Sequence, residues 1–398
     1  MAGDPTRAGI RTLFAAIELS KKNWLVALWS PVVDRVSLHR LPAGDAKALL
    51  ACLERAKASA EEALGQEVEI MSCFEAGYDG FWLHRVLTSA GITNLVVDPA
   101  SIQVDRRARR VKTDRIDAQA LLRFLMAHHR GEVRVWSVVR VPTPDEEDAK
   151  RTHRERQNLI KERGRHVNRI EGLCAQQGIF DYEPMRSDRR ERLGCLITGD
   201  GRAMPPRLLA ELRRELDRLE FVIGQIKAVE AERDAVQPCS GDPTPGPQAD
   251  RLARLRRIVS IGPETAAVLG CEVLYRRFEN RRQLAAYVGL APSPHMSGGL
   301  RVEQGLSKAG NPRARTALVE LAWLWLRYQP GSALSEWFVR RVGKQRGRIR
   351  RIMVVALARK LLVALWRYLE TGLVPSGAVL RRSSGRQPSS AATGRDGM

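Results

Sequence analysis

The chain has 398 residues, with 66 Lys and Arg against 45 Asp and Glu, so its formal net charge is +21. Hydrophobic residues make up 44% and charged residues 28%, which excludes a globally disordered protein and, at this length, predicts two or three domains. The excess positive charge argues against an ordinary neutral metabolic enzyme. It indicates an anionic partner, with a nucleic acid favoured over an anionic membrane surface.

The first third of the chain alternates short apolar runs with amphipathic stretches. Predicted strands lie at residues 13–19, 24–29, 32–38, 68–74 and 94–98, and predicted helices at residues 46–64, 80–90 and 114–129. The order β-β-β-α-β-α-β-α is that of an RNase H-like nuclease. We therefore predict an α/β domain of this class over residues 10–135.

The middle of the chain, residues 145–235, is predicted to be a helical coiled-coil region. Residues 145–177 are highly charged and helical in composition. Further along, apolar residues follow one another at intervals of 3 and 4, the spacing of a coiled-coil seam; they are Leu209, Leu212, Leu216, Leu219, Ile223 and Ile226. The seam is short, so an intramolecular helical hairpin and a dimer zipper are both compatible with it.

A linker rich in Pro and Gly, residues 238–247, precedes a second compact and mainly α-helical domain at residues 250–371. Helices are predicted near residues 265–271, 282–288, 312–328 and 350–369, the third of them starting at an Asn311-Pro312 cap. Residues 372–398 are rich in Ser, Gly and Arg and are predicted to be disordered.

Residues 258–269 resemble a helix-hairpin-helix, a motif that binds the DNA backbone. Val259 and Ser260 replace the usual Pro and Gly of its hairpin. We expect the fold of the motif to persist and its grip on phosphate to be weakened.

Four carboxylates of the first domain are candidate metal ligands. Glu18 and Glu75 end predicted strands, and Asp114 and Asp117 start a predicted helix on one face. In an RNase H-like sheet these positions converge, and Mg²⁺ prefers such hard oxygen ligands. Two bound ions can stabilise the attacking and leaving oxygens of a phosphoryl displacement. As the alternative, Asp114 is an N-cap, Asp117 a first-turn acid favoured by the helix dipole, and the glutamates are solvated.

Basic residues cluster beside these acids and again near residue 346. Such clusters hold a phosphate backbone, although a single charge run is more often a solvated surface. The candidate nucleic-acid-binding residues are Arg106, Arg107, Arg109, Arg110, Lys112, Lys308, Arg346, Arg348 and Arg350.

Residues 289–310 are rich in Gly and predicted to be a loop, with a turn at Ser297-Gly298-Gly299. A serine among small residues is also a candidate nucleophile, because a phosphate can approach it closely. His295 is the one nearby candidate for a base.

Several strings resemble the DEDD transposases of the insertion-sequence one-ten family, relatives of the Piv-type DNA invertases. In chain order they are Ile17-Glu18-Leu19-Ser20-Lys21, Phe74-Glu75-Ala76-Gly77, Lys112-Thr113-Asp114-Arg115-Ile116-Asp117-Ala118, Gly289-Leu290-Ala291-Pro292 with Ser297-Gly298, and Ser307-Lys308-Ala309-Gly310-Asn311. The resemblance spans residues 13–370. It implies a RuvC-like first domain and a C-terminal transposase domain.

The resemblance also implies the chemistry. Glu18, Glu75, Asp114 and Asp117 would bind Mg²⁺, and Ser297 would attack a DNA phosphodiester to give a covalent phosphoserine intermediate. Members of the family excise and insert their element as a circle, guided by a noncoding RNA that pairs with donor and target DNA. A homo-oligomer (dimer or tetramer) that acts on DNA at the bacterial nucleoid is therefore expected. Independently of the resemblance, the six cysteines contain no Cys-x-x-Cys pair, which predicts a reduced, cytoplasmic protein. The chain also lacks an uninterrupted apolar run of about 18 residues, so no membrane span is expected.

One position departs from the family pattern, since Glu18 stands where Asp is usual. Two alternatives remain open. One is a hydrolytic RuvC-like nuclease or junction resolvase, in which Ser297 is only a turn residue. The other is a decayed, non-catalytic copy that binds nucleic acid.

Overall fold

The computed structural model describes residues 11–102, 113–132, 134–235, 247–297, 300–306 and 309–381, with the backbone alone at residues 34, 293–297 and 300–304. The chain divides into two compact units, Met1–Thr143 and Pro144–Met398. The first contains a mixed sheet with helices, and the second is mostly helical.

The first unit contains the predicted strands and helices in the predicted order. They are β1 Thr12–Glu18, β2 Asn23–Ser30, β3 Val33–Pro42, α1 Ala46–Leu64, β4 Glu69–Glu75, α2 Trp82–Ser89, β5 Thr93–Val97, a short 3-10 helix Pro99–Ser101 and α3 Asp114–His129. The strand order is β3-β2-β1-β4-β5. β1 pairs antiparallel with β2 and parallel with β4, and β4 pairs parallel with β5.

The sheet has a hydrophobic core on each face. Leu13, Ala15 and Ile17 of β1 belong to the core that α1 and α2 cover. The alternate residues Phe14 and Ala16 belong to the core that α3 covers. Because side chains alternate between the faces of a strand, residue 18 follows residue 16 onto the α3 face.

The second unit contains ten helices and one β-hairpin among its described residues. They are α4 Pro144–Asp148, α5 Arg151–Ala175, α6 Arg189–Gly194, α7 Pro206–Ala235, α8 Pro247–Arg257, α9 Pro263–Glu272, α10 Arg281–Val288, β6 Pro292–Ser297, β7 Leu300–Leu306, α11 Pro312–Tyr328, α12 Ala333–Val342 and α13 Arg348–Thr371. The single predicted helix of residues 145–177 is two helices, and the predicted loop of residues 289–310 contains the hairpin.

The apolar seam of α7 packs inside its own chain. Leu212, Leu216 and Leu219 are fully buried and share a core with Ile170 and Cys174 of α5. Because α5 covers the seam, the structure shows the intramolecular helical hairpin and not the dimer zipper, the other arrangement that the spacing allows.

The helix-hairpin-helix prediction, residues 258–269, falls on the turn at residues 258–262 and on most of α9, directly after α8. Ser260 takes the conformation of the missing glycine, with φ of 91°. The turn pairs with the end of the chain, because Val259 N donates to Val379 O at 3.1 Å. Gln329, 1% exposed, binds both segments through its side-chain amide.

The prediction that disorder begins at residue 372 is therefore wrong for residues 373–381. Val379 is bound by the Gln329 side chain and by Val259 N, Ser376 O accepts from Ala333 N, and Arg381 N donates to Arg257 O. The predicted linker at residues 238–247 and the remaining tail at 382–398 lie outside the described residues, except for Pro247, which begins α8.

In the described part of the chain, none of the helices combines the length and apolar character that crossing a membrane requires.

Candidate active site

Glu18 and Glu75 are the last residues of two adjacent parallel strands. The register pairs Ile17 with Phe74, so the two glutamates follow directly at the carboxyl edge of the sheet. Both are half-buried. Cys73 lies in the core under α3, so Glu75, two residues later, belongs to the same face as Glu18. Burial, together with the Glu75 carboxylate, raises the pKa of the Cys73 thiol.

The two aspartates lie in the first turn of α3, on the side of the sheet that this helix covers. The N-cap is Thr113, whose hydroxyl accepts from Ile116 N at 3.3 Å, so the alternative that assigns the cap to Asp114 is wrong. Asp114 is exposed and Asp117 half-buried. Ala118 and Leu121 pack the helix into the core, which orients the Asp117 turn toward the sheet.

The four acids thus lie on one side of one sheet, and their chemistry fits a hard divalent cation, because all are carboxylates with partial access to solvent. Across the described residues, no three His, Cys, Asp or Glu side chains lie close enough together to form a metal-binding group. Glu18 and Glu75 share the carboxyl edge of the sheet, Asp114 and Asp117 lie on the helix that covers the same face, and the four are not gathered into a single group.

Most of the predicted basic residues beside the acids lie outside the described residues: Arg106, Arg107, Arg109, Arg110 and Lys112, together with Lys308 of the C-terminal region. The second cluster is described. Arg346, Arg348 and Arg350 are exposed at and before the start of α13, and the guanidinium of Arg350 lies 5.2 Å from the ring centroid of Trp323.

Ser297 is the last residue of β6. Its backbone pairs with Leu300, and residues 298 and 299 lie outside the described residues. His295 is two positions earlier on β6 and pairs with Val302. Ser297 thus ends a strand of a two-stranded hairpin, whereas the sequence predicted a loop here.

The string that follows the hairpin has a structural role. Gly310 has φ of 108°, and a Cβ there would overlap Tyr287 O and lie 2.9 Å from Ala286 O. Asn311 caps α11 as predicted, with its Oδ1 accepting from Ala314 N at 3.1 Å. These residues fix the start of α11 against the end of α10.

Sequence reasoning missed a buried polar cluster beside this string. Glu272, 2% exposed, accepts from His153 Nε2 at 3.0 Å, from Arg154 Nε at 2.6 Å and Nη2 at 2.9 Å, and from Asn311 Nδ2 at 3.0 Å. Tyr287 Oη donates to the backbone oxygen of Glu272 at 3.1 Å. The cluster joins α5 to α9 and α11.

The pKa of Glu272 reflects this environment. Burial alone would raise the pKa of its carboxyl, but the hydrogen bonds from His153 and Arg154 and the positive charge of Arg154 hold the pKa well below its ordinary range. Glu272 is therefore ionised and saturated with partners, which suits a structural anchor. His153 and Glu272 are separated by 119 positions in the sequence, so no local sequence pattern could predict this cluster.

Comparison with known proteins agrees with the strings quoted above. One family model, described as "Transposase IS116/IS110/IS902 family", matches residues 252–335. Another, described as "Transposase", matches residues 9–177. The first match contains the β6–β7 hairpin, and the second contains all four acids.

Curated relatives cover most of the chain. The Sinorhizobium fredii protein y4rJ, which carries a transposase name, is 50% identical over 380 residues, or 94% of this chain and 96% of the relative. The transposase for insertion sequence element IS1111A of Coxiella burnetii is 29% identical over 72% of this chain and 74% of its own length. The transposase for IS1328 of Yersinia enterocolitica is 27% identical over 66% and 73%.

The matches to transposases, which together cover both units of the chain, identify it as a DNA-processing enzyme. The chain belongs to the IS116/IS110/IS902 family of transposases.

Proposed function

We propose that this transposase cuts and exchanges DNA strands in a Mg²⁺-dependent reaction that passes through a phosphoserine at Ser297. The observation that carries the proposal is that Glu18 and Glu75 end adjacent strands on the face of the sheet that α3 covers, and that Asp114 and Asp117 lie in the first turn of this helix. These four carboxylates would hold the metal, as in a RuvC-like nuclease. When bound, Mg²⁺ would neutralise phosphate charge and lower the pKa of a coordinated hydroxyl.

The serine step conserves the energy of the phosphodiester. The Oγ of Ser297 attacks phosphorus, the bond from phosphorus to one deoxyribose oxygen breaks, and the DNA strand on the other side stays attached as a phosphoserine ester. The hydroxyl proton of Ser297 leaves, and a proton reaches the departing oxygen. An incoming DNA hydroxyl reverses the step and seals a new strand, with no water consumed.

The choice of DNA sites is proposed to come from a noncoding RNA that pairs with donor and target. A dimer or tetramer would bring two pairs of strands together for exchange. Both proposals rest on the resemblance of the chain to its family, as does the division into a metal-binding domain, a helical region and a serine-bearing domain.

The test uses purified protein, Mg²⁺, RNA transcribed from the flanking region of the element, and end-labelled junction DNA. We expect a protein–DNA adduct that survives denaturing electrophoresis. Ser297→Ala and Asp114→Ala should each abolish the adduct. Ser293→Ala, on the same strand of the hairpin, is the matched control and should retain it.

Two outcomes would overturn the proposal. Cleavage by Ser297→Ala at the wild-type rate, with no adduct from either protein, would indicate a hydrolytic nuclease. Binding without cleavage, restored to cleavage by Glu18→Asp, would indicate a copy that has decayed at its first metal ligand.

A further inference from the structure

A large groove lies in the second unit, and Ser297 does not line it. It has a volume of about 1650 Å³ and lies between α11 and α13, with α12 along one side and the base of the β6–β7 hairpin along another. Pro292 and Leu306, which pair with each other at the base of the hairpin, line it. We call it the α11–α13 groove.

One face of α13 forms much of the lining. Arg348, Ile352, Arg359 and Arg367 follow at intervals of 4, 7 and 8 residues, which places them on one side of the helix. Ile352, Val355 and Val363 line the groove between these basic residues, so α13 contributes an apolar surface flanked by cations.

The charge in the groove is almost entirely positive. Seven Arg and Lys residues line it against one acid, Glu320. No carboxylate of the described residues lies within 4.0 Å of six of the seven, which are Arg281, Arg282, Arg348, Arg359, Lys360 and Arg367. Cations that lack acidic partners along a groove are suited to the phosphates of a polynucleotide.

Two indole rings accompany these cations. Trp323 is 40% exposed, with Arg350 over its ring, and the ammonium of Lys360 lies 4.6 Å from the ring centroid of Trp337. An exposed tryptophan beside cations offers a stacking surface to an unpaired base and places positive charge where the adjoining phosphate lies. A duplex keeps its bases inside and would leave these rings unused.

We propose that the α11–α13 groove binds a single-stranded stretch of nucleic acid, with unpaired bases on Trp323 and phosphates on the cations of α13. The strand would run past the base of the hairpin toward Ser297, which lies five residues along β6 and about 17 Å away at the rise of a strand. The role of this groove in strand exchange rests on the proposed function, whereas binding of the strand does not, because the groove binds without cleaving.

The test is direct binding in EDTA, so that failure of the serine chemistry cannot affect it. Fluorescence anisotropy measures the affinity of the full chain for labelled oligo(dT) and oligo(rU) of about 12 nucleotides. We expect Trp323→Ala to weaken binding about 5- to 100-fold. Trp323→Phe keeps an aromatic face and should retain most of the affinity, which separates stacking from misfolding.

Matched controls use the same helix and the same charge change. Tyr328→Ala removes another exposed aromatic of α11 that does not line the groove, and it should bind as the wild type does. Lys360→Ala with Arg367→Ala should reduce the salt slope by about 1.4, since each phosphate contact to a single strand contributes about 0.7. Arg213→Ala with Arg214→Ala, on exposed positions of α7, should leave the slope unchanged.

The two oligonucleotides identify the source of the strand. A loss confined to oligo(dT) identifies DNA, and a loss confined to oligo(rU) identifies RNA; either supports the inference. Unchanged affinity of Trp323→Ala for both overturns it. A shift in sedimentation of Trp323→Ala with unchanged affinity would assign the groove to a second copy of the chain, which also overturns it.

Discussion

At the scale of single residues, Glu272 is a buried carboxylate that accepts hydrogen bonds from three side chains. Its pKa in the fold is far below the ordinary value of 4.5, because His153, Arg154 and Asn311 donate to its oxygens. A carboxyl with a lowered pKa contributes stability that is fully present above its ordinary pKa. That contribution is lost as the pH falls through the pKa of the folded state.

We predict that Glu272→Gln lowers the free energy of unfolding by about 3 kcal/mol at pH 7, the cost of breaking a buried ion pair. The difference from the wild type should narrow as the pH falls below about 4.5. Urea unfolding at pH 7, 5 and 3.5 measures it.

Glu264→Gln serves as the control for this prediction. Glu264 is also bound by arginines but is 30% exposed, so its replacement should cost at most about 1 kcal/mol. If the free energies of unfolding of wild type and Glu272→Gln differed by the same amount at pH 7 and at pH 3.5, the assignment of Glu272 as an ionised anchor would be contradicted.

A second residue-scale effect concerns Gly310. Its φ of 108° disfavours any side chain, and a Cβ would overlap the carbonyl of Tyr287. We predict that Gly310→Ala destabilises the fold by more than about 3 kcal/mol, since strain at positive φ and a steric clash add. Gly305 has φ of 85° but no atom near the position of an added Cβ, so Gly305→Ala measures the backbone strain without the clash. Equal melting temperatures of the two variants would show that the clash is relieved.

At the scale of elements, the turn between α8 and α9 contains a serine in a glycine conformation. Ser260 has φ of 91°, and its buried Oγ lacks a hydrogen-bond partner among the described residues. The hydroxyl and the Cβ therefore both cost stability. The turn persists because Ile258 and Ile261 are fully buried on either side of it.

We predict that Ser260→Gly stabilises the chain by about 1 kcal/mol, because relief of the backbone strain and of the buried hydroxyl exceeds the added flexibility of the unfolded glycine. Differential scanning calorimetry measures the change in Tm. Ser260→Ala removes the hydroxyl but keeps the Cβ, so its Tm should lie between the other two. A lower Tm for Ser260→Gly than for the wild type would contradict the prediction.

At the scale of the whole molecule, the net charge of +21 makes binding to DNA depend on salt. Each phosphate neutralised on duplex DNA makes the negative slope of log K against log salt steeper by about 0.9. We predict that replacing Arg348 and Arg350 by alanine makes this slope shallower by about 1.8. Filter binding to random duplex DNA from 50 to 300 mM KCl measures the slope. The exposed pair Arg213 and Arg214 gives the control, and an equal change in both double variants would indicate a nonspecific charge effect.

Local patterns predicted most of the elements. The helices Ala46–Leu64, Asp114–His129 and Pro312–Tyr328 have the predicted bounds, because caps and apolar periodicity act over a few residues. The β6–β7 hairpin was missed, since its Gly and Pro residues are those of a loop. Helix α12 was missed as well, where the sequence analysis made no prediction.

The candidate site was predicted in part. The acids were identified from strand ends and a helix start, and the structure places them on one side of one sheet. Their grouping into a metal-binding centre and the role of Ser297 stay predictions. The Glu272 cluster and the α11–α13 groove could not be predicted, since each joins side chains from helices far apart in the chain.

The sequence by itself determined the family, the charge and the local elements, because these depend on residue types at short spacing. Only the tertiary structure decided which partner covers the α7 seam, which face of the sheet carries Glu18 and Glu75, and where the end of the chain lies. Each of these depends on packing between distant segments, where burial of apolar surface and completion of hydrogen bonds choose among arrangements that local spacing leaves equal.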